Sequence, residues 1–584
     1  MDKHQVAGIL DEIGTLLELQ GENPFRCLAY RNAARALEQL EENLADVIAA
    51  DRLRSVPGIG ETLQDKIKTL VTTGALAFYE DLKQKTPPGL VQMLRLSGMG
   101  PKKVRALYEQ LGIEDIEALK AACQAGRVAA LKGFGAKTQQ KILEGIDFLG
   151  QAGQRLRIDQ AQALAEALVE GLRNGPGIIR MEVCGSLRRW KETINDIDIL
   201  VSSDDAGPIM QRFVTLPGVT QIVAHGDTKS SVVFSHRLHE DGTQLSIPAD
   251  LRVVRDEQFP FAMHYFTGSK EHNIAVRARA QQYGLKLNEY ELAGPDRRVK
   301  CKDEAGVFRA LDLAYIPPEL REHTGEIEAA AEARLPKLIE LADLRGTFHC
   351  HTTWSDGNAS VEAMGLAAHA LGFKYLGFGD HSQSLTVANG LTPDRVRKQQ
   401  AEIDAVGARV KGIKLFKGSE CDILADGSLD YDDEVLATFD YVVASVHSHF
   451  GQPEAEMTAR IIRAISHPRV TMLGHATGRL LLRRDGYKVD IEAVLQAAAK
   501  HGTLIEINAH PQRLDLDWVH CKRAKALGVC MVINPDAHST ADLALVRYGV
   551  AVARRAWLEK DHVFNTRTAA QVSKALAARK NSKH

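Results

Sequence analysis

Eight cysteines are spread over 584 residues without one CxxC pair. That spacing excludes a zinc ribbon and a disulfide framework, and it suits a reducing cytosol. No apolar run reaches the ~18 residues that a membrane-spanning helix needs. The opening MDKHQVAGILDEIGTLLEL carries acids within a helical period, which is not the pattern of a signal peptide. A cytoplasmic protein is the expectation. Net charge is missing too: 73 Lys+Arg against 75 Asp+Glu leave −2, so the total does not announce a polyanionic partner. The distribution is less even, because Lys83 to Arg157 hold 13 Lys+Arg against 6 Asp+Glu. That excess suits a phosphate backbone and would equally suit a solvated helical face. The apolar share of 45% and charged share of 25% are those of a globular chain. The length asks for about three to five domains.

The stretch Cys184–Val201, CGSLRRWKETINDIDILV, carries the most chemistry. Residues two apart in a strand share a face, so Asp196 and Asp198 point the same way. Like charges held that close call for a cation, and Mg²⁺ takes carboxylate oxygens together with substrate phosphates. Upstream, Gly185-Ser186 offers backbone N–H groups and a hydroxyl, while Arg188 and Arg189 offer cationic forks for phosphate. A third carboxylate, Asp250, lies inside the β-branched run Ala249–Val254, with Asp256 as its nearest rival.

The first 85 residues read as helices, with Val6, Ile9, Leu10, Ile13, Leu16 and Leu17 at helical spacing. A G-x-G turn leading into a helix occurs three times, at Gly58/Gly60, Gly98/Gly100 and Gly133/Gly135. Lys102 and Lys137 follow the second and third copies. Such turns put N–H groups at a helix start, where phosphate can approach a bare backbone. This is the helix–hairpin–helix pattern of DNA binding without sequence readout. Lys85-Thr-Pro-Pro-Gly89 reads as a connection between the first copy and the other two.

These residues together resemble the family X DNA polymerases, the relatives of DNA polymerase beta. Tyr265-Phe-Thr-Gly-Ser-Lys-Glu-His-Asn273 is similar to that family's YFTGS…N segment, and Leu287-Asn-Glu-Tyr290 to another of its elements. The resemblance implies that Asp196, Asp198 and Asp250 are catalytic and hold two Mg²⁺ or Mn²⁺ ions. It implies that Gly185, Ser186, Arg189 and Gly268 surround the triphosphate, and that Tyr265 and Phe266 pack under the sugar. Asn273 would meet the incoming base and Arg277 the template side. The first hairpin resembles the small lyase domain of polymerase beta, with Lys66 at the Schiff-base position. Arg26 and Thr62 stand where that relative carries lysines.

From about Leu335 short apolar strands alternate with helices, which reads as a parallel α/β barrel. Imidazoles and carboxylates recur at the strand ends: His349, His351, Asp356, His381, Glu420, His447, His475, Asp536 and His538. Such a set without thiolate favours Zn²⁺, Mn²⁺ or Fe, and nine ligands suggest about three ions with Glu420 bridging. The constellation resembles the PHP domain, with Asp380 and Asn508 behind the ligands. Cys350 falls on the opposite strand face.

The expected fold is multidomain: helical helix-hairpin-helix domains, an α+β nucleotidyltransferase palm and thumb, and an α/β PHP domain forming a distorted barrel. The expected boundaries are 1–85 (lyase-like), 86–150 (duplex-binding), 151–256 (palm), 257–320 (thumb), 321–339 (linker) and 340–575 (PHP). The resemblance implies a monomeric repair polymerase that binds gapped or nicked DNA and dNTPs. Its PHP domain would be a 3′–5′ exonuclease or 3′-end processor, with abasic-site incision as a further activity. The rival reading is a PHP phosphoesterase whose front half only tethers DNA.

Overall fold

The computed structural model describes residues 3–38, 44–56, 58–94, 96, 99–152, 155–173, 175–237 and 244–581. It divides into two compact units, Met1–Gly153 and Gln154–His584.

The first unit is helical. Lys3–Leu19 packs along Pro24–Glu38, and Val6, Leu10, Ile13 and Leu17 vanish into the contact with Ala33, Ala34 and Leu37. Asn23 sits before Pro24 and accepts from the Phe25 N–H at 2.9 Å, capping the second helix. A second apolar cluster gathers Leu90, Met93, Val104, Leu107, Leu119 and Ile142 around the later two hairpins. Between the clusters, Ala77–Lys85 ends and Pro88–Met93 begins within three residues. Thr86 is buried there and accepts from Gln20 Nε2 at 2.9 Å, so the connection is pinned.

The second unit opens with a five-stranded sheet: β1 (Arg180–Val183), β2 (Ile197–Ser202), β3 (Val219–His225), β4 (Lys229–Arg237) and β5 (Gln244–Val254). The order is β1-β2-β5-β4-β3, with only β2 and β5 parallel. One face buries Ile197, Ile199, Val201, Leu251 and Val253 against the helices Ile158–Arg173 and Gly207–Val214. The helices Phe259–Thr267, Lys270–Gln282 and Glu304–Arg309 and a small three-stranded sheet follow. The stretch 321–339 does not behave as the expected linker. Ile327, Ala330, Leu335 and Leu338 join the apolar cluster of Phe308 and Val276. Arg321 and Glu326 are both fully buried, Arg321 in an ion pair with Glu304 and Glu326 in a hydrogen bond with His272 at 2.8 Å. A charge can be buried there because its partner is buried with it.

The remainder holds eight parallel strands: β6 (Gly346–Cys350), β7 (Tyr375–Phe378), β8 (Lys414–Phe416), β9 (Gly418–Asp422), β10 (Tyr441–Ser445), β11 (Met472–Leu473), β12 (Leu504–Asn508) and β13 (Met531–Asn534). They do not close as one barrel ladder. β6-β7-β8 and β9-β10-β11-β12-β13 are separate sheets, joined by single bridges at Cys350–Ala537 and His381–Glu420. The ladder breaks where the site is built: pairing of β6 with β7 shifts between Thr347 and Cys350, and His349 between them has φ +55°. Among the described residues no helix is long and apolar enough to cross a membrane.

Candidate active sites

The palm carboxylates are brought together by register. β2 and β5 run parallel with Asp198 opposite Asp250, and Asp196 stands at the mouth of β2. Burial, then the Asp196 and Asp250 charges, push the Asp198 carboxyl up to about 7. Burial and Asp250 raise Asp196 in the same way. Lys229 Nζ lies 2.7 Å from Asp250, and Arg189 adds its positive charge toward Asp196 and Asp198. Three carboxylates gathered this closely, two of them raised by burial and by their neighbours' charge, are a donor set for a hard divalent cation. Asp256, the rival third ligand, is occupied elsewhere by Arg180 Nε at 2.7 Å and Ser202 Oγ at 2.8 Å.

Gly185 has φ +63°, and a Cβ there would stand 2.0 Å from Asp198 Oδ2. Only glycine lets this turn lie against the carboxylate. Ser186 follows in the short helix Gly185–Arg188. The two arginines differ in role. Arg188 is spent on Glu304, with bonds of 2.9 and 2.8 Å, and on Thr267. Arg189 donates from Nε to Glu322 at 3.1 Å and from Nη1 to the Thr267 carbonyl at 2.6 Å. Its other N–H groups remain for an anion. Tyr265 and Phe266 meet edge-to-face at 5.2 Å between centroids, half-buried. Asn273 Nδ2 donates to the Tyr265 carbonyl at 2.7 Å, and Gly268 lies against the Arg189 guanidinium. Arg277, exposed, donates to the Asn273 carbonyl at 3.2 Å. Phe266 also lines a 40 Å³ cavity with Asp198, Lys229, Asp250 and Arg252.

The hairpin turns are exposed at Gly58, Gly60, Gly100, Gly133 and Gly135, as are Lys102 and Lys137. Gly98 lies outside the described residues. The apolar residue between the glycines is buried in every copy (Ile59, Met99, Phe134), anchoring the turn from below. Gly58 and Gly133, equivalent positions, share φ of +91° and +92°. Lys66 lies on the helix Glu61–Thr73, hydrogen-bonded to Tyr30 and 3.4 Å from the centre of the Phe78 ring. Burial, then the Arg26 charge, lower its amine to about 8. Arg26, a departure from the lysine of the resembled lyase domain, places its positive charge near Lys66.

The nine expected C-terminal residues lie together. Four overlapping groups form, each with ligand atoms within 4.8 Å of one another: His351, Asp356, His381 and His538; His349, His351 and Asp536; His349, Glu420 and His475; His381, Glu420 and His447. Glu420 is central, with Oε1 at 3.2, 2.9 and 3.3 Å from His349, His475 and His447, and Oε2 at 2.9 Å from His381. His349 Nε2, both nitrogens of His351 and His381 Nδ1 are buried there without a hydrogen-bond partner. Orphaned buried nitrogens converging on carboxylates are costly unless cations fill the space, so the residues fit a metal cluster. Burial, with His381 and His538 beside it, presses His351 down to about 3. His381, in spite of burial, is held up at about 10 by Glu420 and Asp356. Asp356 and His538 are the most exposed members and form the open edge.

Supporting residues stand behind the ligands: Asp380 and Asn508 are expected from the sequence, and the structure adds Glu506, Asp422 and Arg513. Glu506 Oε1 lies 2.5 Å from His349 Nδ1. A carboxylate only accepts, so Nδ1 carries a proton and Nε2, which faces the cluster, is the nitrogen that would ligate a metal. Asp422 does the same for His447 Nδ1 at 2.6 Å. It shares a strand face with Glu420 two residues earlier, a signal that period-two reading could have used. Arg513 Nε stands 3.4 Å from Asp536. Asp380 accepts from Thr352 N at 2.8 Å and Ser355 Oγ at 2.6 Å, setting the turn before Asp356. Asn508 Nδ2 donates to Asp536 at 3.0 Å. Cys350 packs into the apolar core.

Comparison with known proteins follows these divisions. A helix-hairpin-helix domain matches residues 1–76, a SAM-like helix-hairpin-helix tandem 91–147, the DNA polymerase beta thumb 262–322 and the PHP domain 347–510. The DNA polymerase/3′-5′ exonuclease PolX of Bacillus subtilis (strain 168) is 39% identical over 578 residues, 99% of each chain. DNA polymerase lambda of Rattus norvegicus is 26% identical over 340 residues, 54% of this chain and 55% of its own. A probable phosphatase of Thermoanaerobacter sp. (strain X514) is 28% identical over 230 residues, 37% of this chain and 89% of its own. Full-length similarity to PolX, together with the beta-type thumb and the PHP domain, places this chain in the family X DNA polymerases that carry a C-terminal PHP domain.

Proposed function

We propose that this protein is a DNA-directed DNA polymerase that fills short gaps during repair, and that its PHP domain removes nucleotides or blocking groups from 3′ ends. The observation that carries the proposal is the presence of two filled constellations in one chain: Asp198 opposite Asp250 in the palm, and nine converging ligands at the strand ends of the PHP domain.

In the palm, Asp196, Asp198 and Asp250 would hold two Mg²⁺ or Mn²⁺ ions, which neutralise developing phosphate charge and favour the primer 3′-alkoxide when bound. Ser186 and Arg189 grip the triphosphate of the dNTP beside Gly185 and Gly268. Tyr265 and Phe266 present an apolar floor to the sugar and exclude a 2′-hydroxyl. Asn273 meets the incoming base and Arg277 the template strand. The hairpin turns bind the backbone of gapped or nicked DNA without reading sequence. Lys66, lowered to about 8, is poised to attack the aldehyde of an abasic sugar.

In the PHP domain, His349, His351, Asp356, His381, Glu420, His447, His475, Asp536 and His538 would hold about three Zn²⁺, Mn²⁺ or Fe ions, which when bound would supply Lewis acidity to activate water and charge neutralisation at a phosphodiester. Glu506 and Asp422 fix the imidazoles of His349 and His447, Asp356 and His538 face the substrate side, and Arg513 brings a positive charge to the rim. Incision at abasic sites is a further activity of the same residues. The protein acts as a monomer on nucleoid DNA in the cytoplasm.

A second reading, a PHP phosphoesterase with a DNA-tethering front half, draws on the similarity to a probable phosphatase. One gel separates the two. A 5′-labelled primer in a one-nucleotide gap is incubated with Mn²⁺, with and without dNTPs. Extension with dNTPs and shortening without them is the expected result. Shortening in both lanes would leave the front half as a tether.

A further inference from the structure

The palm and the PHP domain meet at a buried cluster of charge within the second unit. Arg555 ends the PHP helix Val546–Arg555 and is 3% exposed. Its Nη2 donates to Glu322 Oε1 at 3.2 Å, and its guanidinium lies 5.0 Å from the Trp518 ring centre. The same Glu322 oxygen accepts from Arg189 Nε at 3.1 Å. One carboxylate oxygen therefore serves two guanidiniums, one from each domain. Beside it, Arg479 of the PHP domain donates to Glu192 of the palm at 2.8 Å. Arg555 Nη1 reaches the Trp190 carbonyl, next in the chain to Arg189.

We infer that Arg555 is a positioning residue for nucleotide binding by the palm, acting through Glu322 on Arg189. The inference rests on the polymerase reading and on Arg189 as a triphosphate contact. The physical reason is charge balance in a site sheltered from water. A carboxylate neutralised by Arg555 holds Arg189 in place without repelling the triphosphate that Arg189 must meet. Without Arg555, the negative charge of Glu322 is left to Arg189, with only the charge of Lys191 beside it. It then competes with the triphosphate for the guanidinium and repels it. The catalytic carboxylates make no contact with Arg555, so the loss falls on dNTP binding and not on the chemical step. The PHP domain would in this way complete the polymerase site as well as carrying its own.

The test compares the full-length protein with Arg555→Gln, Arg555→Lys, Glu322→Gln and the Arg555→Gln/Glu322→Gln double variant. Single-nucleotide incorporation into gapped DNA is measured beside Mn²⁺-dependent 3′ nucleotide release. Arg555→Gln is expected to raise the KM for dNTP roughly tenfold with kcat within about twofold. Arg555→Lys falls between it and the unaltered protein. The double variant recovers most of the loss, because the uncompensated carboxylate has gone. Nucleotide release stays unchanged and reports an intact fold. An unaltered KM in Arg555→Gln overturns the inference. So does a parallel fall in both activities that the double variant does not rescue, since that is what a merely structural role predicts. If the unaltered protein performs no synthesis, the polymerase reading fails by itself. Equilibrium binding of dATP in Ca²⁺ to the same variants then decides the inference, with the same order of affinities expected and equal affinities overturning it.

Discussion

Glu506→Gln is the sharpest single test of how the PHP site is held together. Glu506 is fully buried in the middle of β12. Oε1 accepts from His349 Nδ1 at 2.5 Å and Asn534 Nδ2 at 2.9 Å; Oε2 accepts from the His475 N–H at 2.7 Å and Asn508 Nδ2 at 3.3 Å. Glutamine fills the same volume and keeps one acceptor oxygen. Its amide nitrogen must then face two donors, whichever way the group is turned. Each donor left unpaired costs ~1–3 kcal/mol, so the domain loses a few kcal/mol of stability. Loss of the carboxylate also frees the His349 tautomer, and a ligand without its orienting partner binds metal ~10–100-fold more weakly. The assay is nuclease activity titrated with Mn²⁺, read beside gap filling at saturating Mg²⁺. The half-activating Mn²⁺ concentration should rise within that range while synthesis holds. A midpoint within twofold of the unaltered protein, with the thermal transition unmoved, would refute the assignment of Glu506 as the residue that aims His349.

Asp198→Ala should abolish synthesis and spare nucleotide release, and His349→Ala should do the reverse; a folded variant losing both activities would contradict two separate sites. Gly185→Ala places a Cβ 2.0 Å from Asp198 at φ +63°. The strain is worth ~1–3 kcal/mol, and gap-filling kinetics should fall more than about tenfold with nuclease activity intact. Lys66 titrates at about 8, so at pH 7 about a tenth is neutral amine, roughly 300-fold more than for an ordinary lysine. The lowered value favours the neutral form as pH rises, so borohydride trapping on an abasic-site duplex should increase through pH 8 and level off above it. Trapping that is flat from pH 6 to 9, or unchanged in Lys66→Ala, would exclude this lysine. Chelation should remove nuclease activity and lower the thermal midpoint of the second unit, because the buried imidazoles of His349, His351 and His381 lose their partners. Calorimetry with and without chelator checks it.

Much of the chemistry was written locally and could be read without coordinates. Asp196 and Asp198 share a face because a strand alternates with period two. The three hairpins show as a glycine spacing repeated in the chain. The nine imidazoles and carboxylates betray themselves by following short apolar runs. These are rules of a few residues' reach, set by backbone geometry, and the motif resemblances rest on the same short windows. Tertiary structure decided what those windows cannot hold. A place inside a strand favours Asp250 over Asp256, but only the β2–β5 register sets it against Asp198 while Arg180 occupies Asp256. Arg188 and Arg189 look alike in sequence, and Glu304 separates their roles from 116 residues away. The stretch 321–339, expected as a linker between the thumb and the PHP domain, is packed in place with the buried pairs Arg321–Glu304 and Glu326–His272. Glu506 orients His349 across 157 residues, and Arg555 reaches Glu322 across 233. Partners that far apart leave no periodic trace, because their meeting depends on how whole layers pack, and a buried charge shows its purpose only once its counter-charge is seen beside it.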